Sequence, residues 1–496
     1  MKLISLTYRD PKNSLQAYEF DFDNQRDESD ALEPLCLVGL NGSGKSKLLE
    51  ILAKIFFEMD RLWRSTTKSK PTVNVIFRFE YHLFKKKVVI QATTGGSLTI
   101  SVDGDEVSPA DIPAVMPSNI IGYSSGHNET ISDLFYQLRE REFRATRELV
   151  DDGKQGNLEL SRTLFLDRDT CKLLLLTSFI FSGQAGRDGF PSKEKSGELL
   201  TKFSEFLHLK QLLSFQIILD TDSGRIVLAQ RMEQTLEKLE RCALMSNVQL
   251  QGKERRYELD FFMCGITKDA FLHEFGTAQD FFEQVYELMS LNLISSTKSK
   301  QHTVFSLPES ELKVLVDNPL AETVYLNLSD GEHQFIQIFT ALVLFARQNS
   351  IFLLDEPESH FNPAWRAKFV LIMDELLDKK QKSSEFLIST HSPYLVSACK
   401  KRNVFKFSRN IDGKGVDYEP LIDETYGASF DVLLKALYDM KGLVSEIARV
   451  SLQEVIESDE TTKAKLEKLE NEFGDSFEKR LLMNMLEKGL FDAAQD

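Results

Sequence analysis

The sequence predicts an α/β fold: a mixed-sheet core with an antiparallel β subdomain, a large helical insertion and a helical C-terminal tail. Three observations predict it. A glycine-rich loop near residue 40 lies between a strand-like apolar run and a helical one, and a second strand-like run near residue 350 ends in two adjacent acids. Between them the patterning shifts from period 2 to helix formers.

Gly39-Leu40-Asn41-Gly42-Ser43-Gly44-Lys45-Ser46 has the G-x-x-x-x-G-K-S spacing. In this spacing successive backbone N–H groups wrap a triphosphate, Lys45 reaches the β/γ oxygens of ATP and Ser46 ligates Mg²⁺. Leu35-Cys36-Leu37-Val38 before it has the length of a buried strand, and Leu48, Leu49, Leu52, Ile55, Phe56 and Met59 after it recur at helical spacing. Strand, loop and helix in that order put the phosphates at a helix N-terminus, with Lys47 added to the nucleotide-binding set. A glycine-rich turn that merely resembles the pattern would lack these flanks.

Ile351-Phe352-Leu353-Leu354-Asp355-Glu356 reads as a buried parallel strand ending in two carboxylates. Side chains alternate along a strand, so the two acids face different ways. Asp355 is expected to hold Mg²⁺, and Glu356 to orient or deprotonate the attacking water. Pro357 ends the ladder. After a helix and the strand Phe386-Leu387-Ile388 comes Ser389-Thr390-His391-Ser392-Pro393. A lone histidine is more often structural, but His391 closes the strand that follows the acidic one. It therefore joins Lys45 and Glu356 as a catalytic candidate.

These residues resemble the ABC class of P-loop ATPases, and within it the chromosome-maintenance (SMC), recombination-repair and overcoming-lysogenisation heads rather than transporters. The resemblance implies an ATPase head fold and makes His391 a switch residue contacting the γ-phosphate. Leu328-Ser329-Asp330-Gly331-Glu332 is similar to the class signature, whose serine and following helix touch the γ-phosphate bound by the other subunit. Taken alone, the same five residues are also an ordinary Ser/Asp helix cap. Phe335, Ile336, Phe339, Leu342, Val343 and Phe345 then give the helix an apolar face. Glu358-Ser359-His360-Phe361-Asn362-Pro363 resembles the loop that crosses the dimer interface, with Asn362 where many relatives carry Asp. For the metal-sensing glutamine of the family, Asn128 or Glu129 is the nearest substitute, after the strand Ile120 to Tyr123.

That stretch, with Arg162 to Asp167 and Thr425 to Phe430, is similar to bacterial AAA-type ATPases associated with restriction systems and to Septu-type defence ATPases, which pair with a separate HNH nuclease. The resemblance implies phage defence through a nuclease partner of HNH or restriction type.

At 496 residues the chain holds two or three domains, and 42% hydrophobic with 27% charged residues fits a globular protein. No apolar stretch is long enough to span a membrane, and Met1 to Thr7 lacks an export signal. Five widely spaced cysteines without a C-x-x-C pair make the cytoplasm the expected compartment. A net charge of −16 argues against coating nucleic acid through overall charge. Local basic clusters remain at Lys85-Lys86-Lys87, Lys253 with Arg255-Arg256, and Lys400-Lys401-Arg402, and DNA contact through them is open.

Residues 1–129 are expected to form the first half of the head and 130–300 a mainly helical lobe, helical over 130–150, 168–182, 198–213, 230–246 and 268–293, with a hairpin around Asp220 to Gly224. Residues 301–412 would complete the head and 413–496 form a helical tail, with apolar stripes at Leu466, Leu469 and Phe473 and at Phe477, Leu481 and Met485. The tail lacks the acidic clusters of a TOPRIM nuclease. The leading expectation is an ATP-bridged homodimer, open to higher assembly, that gates an effector nuclease. The alternatives are a DNA-repair clamp, a non-hydrolysing nucleotide sensor and a transporter subunit.

Overall fold

A computed structural model describes residues 1–11, 13–22, 32–64, 73–93, 95–126, 131–141, 162–221, 228–251, 254–295, 303–317, 320–409, 416–421, 423–438 and 444–488. The chain divides into two compact units, Met1–Tyr426 and Gly427–Asp496.

The central sheet of the first unit has the order β19-β18-β3-β17-β16-β8-β9. Its strands are β3 (Leu35–Gly39), β8 (Ile120–Ser124), β9 (Thr163–Phe165), β16 (Ile351–Asp355), β17 (Glu385–Ser389), β18 (Val404–Arg409) and β19 (Val416–Pro420). All neighbours pair in parallel except β18 and β19. β3, β16 and β17 are buried throughout, as strands covered on both faces must be. The register sets Asp355 opposite Ser389 on one side and Ser124 on the other. Polar residues thus converge at the carboxyl ends of three apolar strands, where open α/β sheets bind their ligands.

The second sheet, in order β2-β1-β4-β5-β6-β7, is antiparallel throughout. It comprises β1 (Lys2–Asp10), β2 (Asn13–Asp21), β4 (Ile76–Leu83), β5 (Lys86–Ala92), β6 (Thr99–Val102) and β7 (Asp105–Glu106). Helix α1 (Lys45–Trp63) joins it to the central sheet: Leu48, Leu52, Ile55 and Phe56 share one core with Leu6, Phe79 and Tyr81 and with Leu353 and Leu387. The subdomain therefore fixes the helix that follows the glycine-rich loop.

The lobe departs from the mainly helical expectation. Beside α2 (131–141), α3 (Arg168–Ile180), α4 (Lys193–Leu207), α5 (Gln230–Cys242), α6 (Gly265–Phe275), α7 (Ala278–Met289) and α8 (Leu291–Ser295), it holds a third sheet. This has the order β11-β12-β10-β14-β15, with β13 also on β10. Its strands are β10 (Leu209–Asp220), β11 (Met245–Gln251), β12 (Glu254–Phe262), β13 (Phe305–Ser306), β14 (Lys313–Asp317) and β15 (Leu320–Val324). The expected helix over 198–213 stops at Leu207 because His208 turns left-handed (φ 57°). Phe215, Ile217 and Leu219 then alternate inward along β10. The sheet runs past residue 300 because β14 and β15 belong to it, and β19 carries the head past residue 412. The hairpin expected at Asp220 to Gly224 falls partly outside the described residues.

Helix α9 (Asp330–Phe345) is almost wholly buried, and its Phe335 and Phe339 pack with Phe206, Phe361, Trp365 and Phe369. α10 (Pro363–Leu376) and α11 (Pro393–Ser397) complete this unit. The second unit contains α12 (Phe430–Tyr438), and α13 (Glu446–Glu457), α14 (Thr462–Glu472) and α15 (Phe477–Glu487) packed around Leu452, Val455, Leu469 and Leu486. Leu466 and Phe473 join this core as expected, but the last stripe is out of phase: Leu482, Met483 and Leu486 face inward while Phe477 and Leu481 are exposed. Among the described residues no helix is long and apolar enough to cross a membrane.

Candidate nucleotide site

The glycine-rich loop leaves β3 at Gly39, whose φ of 139° and tight surroundings explain the residue. A Cβ there would meet the Phe407 carbonyl oxygen at 2.4 Å. Asn41 and Gly42 lie exposed at the tip, Ser43 is buried and donates its N–H to Leu40 O at 3.2 Å, and Gly44 caps α1. Arg409, at the end of β18, donates to Gly42 O at 2.7 Å and ties the tip to the sheet.

Lys45 turns back under the loop. Its Nζ donates to Gly39 O at 2.9 Å and Leu40 O at 3.2 Å, and lies 3.1 Å from His391 Nε2. Burial lowers its pKa, while Asp355 and Glu356 oppose that shift. Ser46 Oγ donates to Asp355 Oδ1 at 2.9 Å, and Ser124 Oγ to the other carboxylate oxygen at 3.4 Å. Burial raises the pKa of Asp355 against the nearby Ser389 hydroxyl and the hydrogen bond from Ser46. A carboxylate so placed favours a cation beside it. Lys47 differs from the rest: its ammonium reaches Glu50 at 2.7 Å, leaving only its backbone N–H to the loop.

Glu356 lies one residue beyond β16 in a left-handed conformation, φ 50°, with its N–H donated to Ser389 O at 2.9 Å. Its Oε1 is 3.5 Å from His391 Nε2, so the histidine ring stands between Lys45 and Glu356. Burial, and next the Lys45 charge, lower the His391 pKa below its ordinary 6.5, so the ring is neutral at pH 7. Lys45, Ser46, Asp355, Glu356 and His391 thus form one cluster drawn from α1, β16 and the end of β17.

Residues 329–332 lie outside that cluster. Ser329 is the N-cap of α9, and Glu332 Oε2 accepts from both its N–H (2.6 Å) and its hydroxyl (2.8 Å) in a capping box. Ser329 and Asp330 are exposed, whereas Gly331 is buried so close to the loop after Glu356 that a Cβ would meet His360 O at 2.7 Å. Asn362 is exposed and caps α10 by accepting from Trp365 N at 2.9 Å. Asp and Asn serve equally at such a cap, which accounts for Asn here.

Three further groups belong to the site and are not evident from the sequence. Ser124 ends β8 beside Asp355, and Asn128 and Glu129 lie outside the described residues. Glu358 is buried and accepts from the Thr390 hydroxyl next to His391. Gln334 is 1% exposed and bonds the loop after Glu356. Only Gln334 carries a signal in the sequence, as an amide among the apolar residues of α9.

For Mg²⁺ the donor chemistry fits. Ser46 and Asp355 offer adjacent oxygens, the hard ligands Mg²⁺ takes, and it usually adds substrate phosphates and waters to one or two carboxylates. Among the described residues no cluster of three or more His, Cys, Asp or Glu could hold a metal alone.

A phosphate loop between β3 and α1, a parallel sheet bringing Asp355 beside Ser46, and a flanking antiparallel subdomain define the class: a P-loop nucleotide-binding ATPase fold of the ABC type. A model of the family described as "AAA domain, putative AbiEii toxin, Type IV TA system" matches residues 268–397. Protein ea59 of Escherichia phage lambda is 29% identical over 126 residues, which are 25% of this chain and 23% of that protein. The chain therefore matches about a quarter of that relative's length. Among solved structures, the SMC head domain from Thermotoga maritima is 12% identical, with a TM-score of 0.34, covering 85% of this chain and 100% of that one. The recombination mediator protein RecF-ATPrS is 13% identical, with a TM-score of 0.33, covering 84% and 97%.

Proposed function

We propose that this chain is an ATPase that closes as a homodimer around ATP and in doing so gates a partner nuclease in defence against phage. One observation carries the first part. Lys45, Ser46, Asp355, Glu356 and His391 meet in one cluster while the Ser329 cap is exposed elsewhere on α9, so the site has one half in this chain and the other half free for a second copy.

In this reading the loop N–H groups from Asn41 to Lys47 and the Lys45 ammonium bind the ATP phosphates, the ammonium exchanging the Gly39 and Leu40 carbonyls for phosphate oxygens. Ser46 and Asp355 hold Mg²⁺, which neutralises phosphate charge when bound. Glu356 orients the attacking water and takes its proton. Once the ammonium has turned to the phosphates, Nε2 of the neutral His391 ring, beside Glu356 Oε1, is the donor that contacts the γ-phosphate. Ser329 and the N–H groups at the start of α9 close over the same phosphate of the partner copy, excluding water and stabilising charge as it develops.

The nuclease partner and the defence role rest on the resemblance of residues 120–129, 162–167 and 425–430 to restriction-associated and Septu-type ATPases, and the family matched over residues 268–397 is described as a putative toxin. Expression from the native gene neighbourhood, with co-purification and mass spectrometry, tests them: a nuclease should co-purify, and repair proteins in its place would favour a DNA clamp. The ATPase reading is tested by substitution. Glu356→Gln is expected to lower kcat by at least about 100-fold and to accumulate an ATP-dependent dimer in light scattering, whereas Lys45→Ala loses nucleotide binding. Normal turnover by Glu356→Gln would refute the assignment of the water-activating residue.

A further inference from the structure

We infer that Gln334 is a positioning residue for hydrolysis: its amide holds the backbone of Glu356, which rests on Glu356 being the water-activating residue, and links it to the helix that begins at Ser329. A contact made at this helix end by another copy then bears on the carboxylate that works in this one.

The orientation of the amide is set by its partners. The His360 N–H can only donate, and it meets Gln334 Oε1 at 3.0 Å. Nε2 therefore faces the other side, where one N–H is donated to the Tyr123 hydroxyl (2.8 Å) and the other is shared between the Ser359 hydroxyl (3.3 Å) and the Glu356 carbonyl (3.4 Å). A carbonyl can only accept. The position thus requires a donor and an acceptor on one flat group: glutamate lacks the donor, and methionine lacks both.

The backbone held by this amide is strained. A non-glycine residue in the left-handed region is disfavoured and persists when its surroundings fix it. Glu356 is fixed at both ends, through its N–H on Ser389 and its carbonyl on Gln334. The loop beyond it is gripped from two sides. Gly331 in the first turn of α9 lies against His360, and Arg366 of α10 donates to the carbonyls of Glu358 (3.2 Å) and Ser359 (2.6 Å). Gln334 sits one turn beyond Gly331, so a movement of the Ser329 end of α9 passes through a buried, hydrogen-bonded contact to Glu356. Cooperation between two composite sites needs such a path.

The test uses the full chain with Gln334→Met, which keeps the volume and deletes both hydrogen-bonding functions, and Tyr123→Phe, which removes only one partner. Gln334→Met is expected to lower kcat by about 10- to 100-fold, with the Kd for ATP unchanged within about threefold. Tyr123→Phe should give a smaller loss of the same kind. Added to Glu356→Gln, the Gln334→Met change should cost nothing further, because two residues acting through one step are not additive. Unchanged kcat, loss of ATP binding in step with kcat, or a full additional loss in the double variant would each overturn the inference. Failure of the Glu356 reading shows separately, as turnover by Glu356→Gln alone.

Discussion

Glu358 is a carboxyl with little reason to be charged. It is buried, one oxygen accepts from Thr390, and the other has no hydrogen-bond partner among the described residues. Burial pushes its pKa up to about 7 and Glu356 adds to the rise, against the Thr390 hydroxyl and the more distant Arg366 charge. The sign of the consequence is fixed by linkage. The folded state binds the proton more tightly than the unfolded chain does, so stability is greatest below about pH 4.5 as far as this group is concerned, and declines as pH rises through 7. Glu358→Gln removes the ionisable group and keeps the acceptor for Thr390. Thermal unfolding across pH 5 to 8.5 should show the variant equal to the parent at the acid end and more stable at the alkaline end, by at most about 3 kcal/mol. A constant offset across that range would show that ionisation is not the cause.

At the scale of elements, the cap of α9 separates two roles that the sequence leaves superimposed. As an N-cap, Ser329 is replaceable by Asp, which ranks with Ser there. As a phosphate contact it is not, since Asp would set a carboxylate against an anion. Ser329→Ala is therefore expected to cost about 1 kcal/mol of stability by loss of the cap, and Ser329→Asp to keep the cap but lose the hydroxyl's hydrogen bond to Glu332. ATP-driven dimerisation, measured by analytical ultracentrifugation, should fall with both and most with Asp. If Ser329→Asp dimerised normally, residues 329–332 would be a cap and nothing more. The same contrast separates what is legible in a sequence from what is not. Loop, acidic strand and histidine can be read because each is contiguous and flanked by an apolar strand whose burial the pattern reveals. Gln334 and Ser124 act through partners 211 and 231 residues away, on Tyr123 and Asp355, and no local pattern encodes such a distance. The third sheet is hidden in the sequence because β10 follows α4 across one left-handed residue, His208, which is not a usual breaker.

For the whole molecule, charge decides between readings. The basic clusters that keep DNA contact open are partly paired within the fold: Lys87 with Glu80 at 2.7 Å, Arg256 with Glu258 at 2.8 Å, and Lys400 and Arg402 with Glu33 at 3.0 and 2.9 Å. With a net charge of −16 as well, those ion pairs weaken the attraction of the clusters for a duplex. Fluorescence anisotropy at about 0.15 M salt should therefore find no binding of duplex DNA tighter than about 10 μM, with or without ATP. Tight binding would favour the DNA clamp over the gated nuclease. For the proposed dimer the capping box has a further implication. A carboxylate, that of Glu332, already rests on the Ser329 amide and hydroxyl, where a visiting phosphate is to be received. Docking is then a substitution of one anion for another at a helix end that is never bare. Stray phosphate or sulfate gains little there, and only a ligand held rigidly by a facing subunit can evict the incumbent.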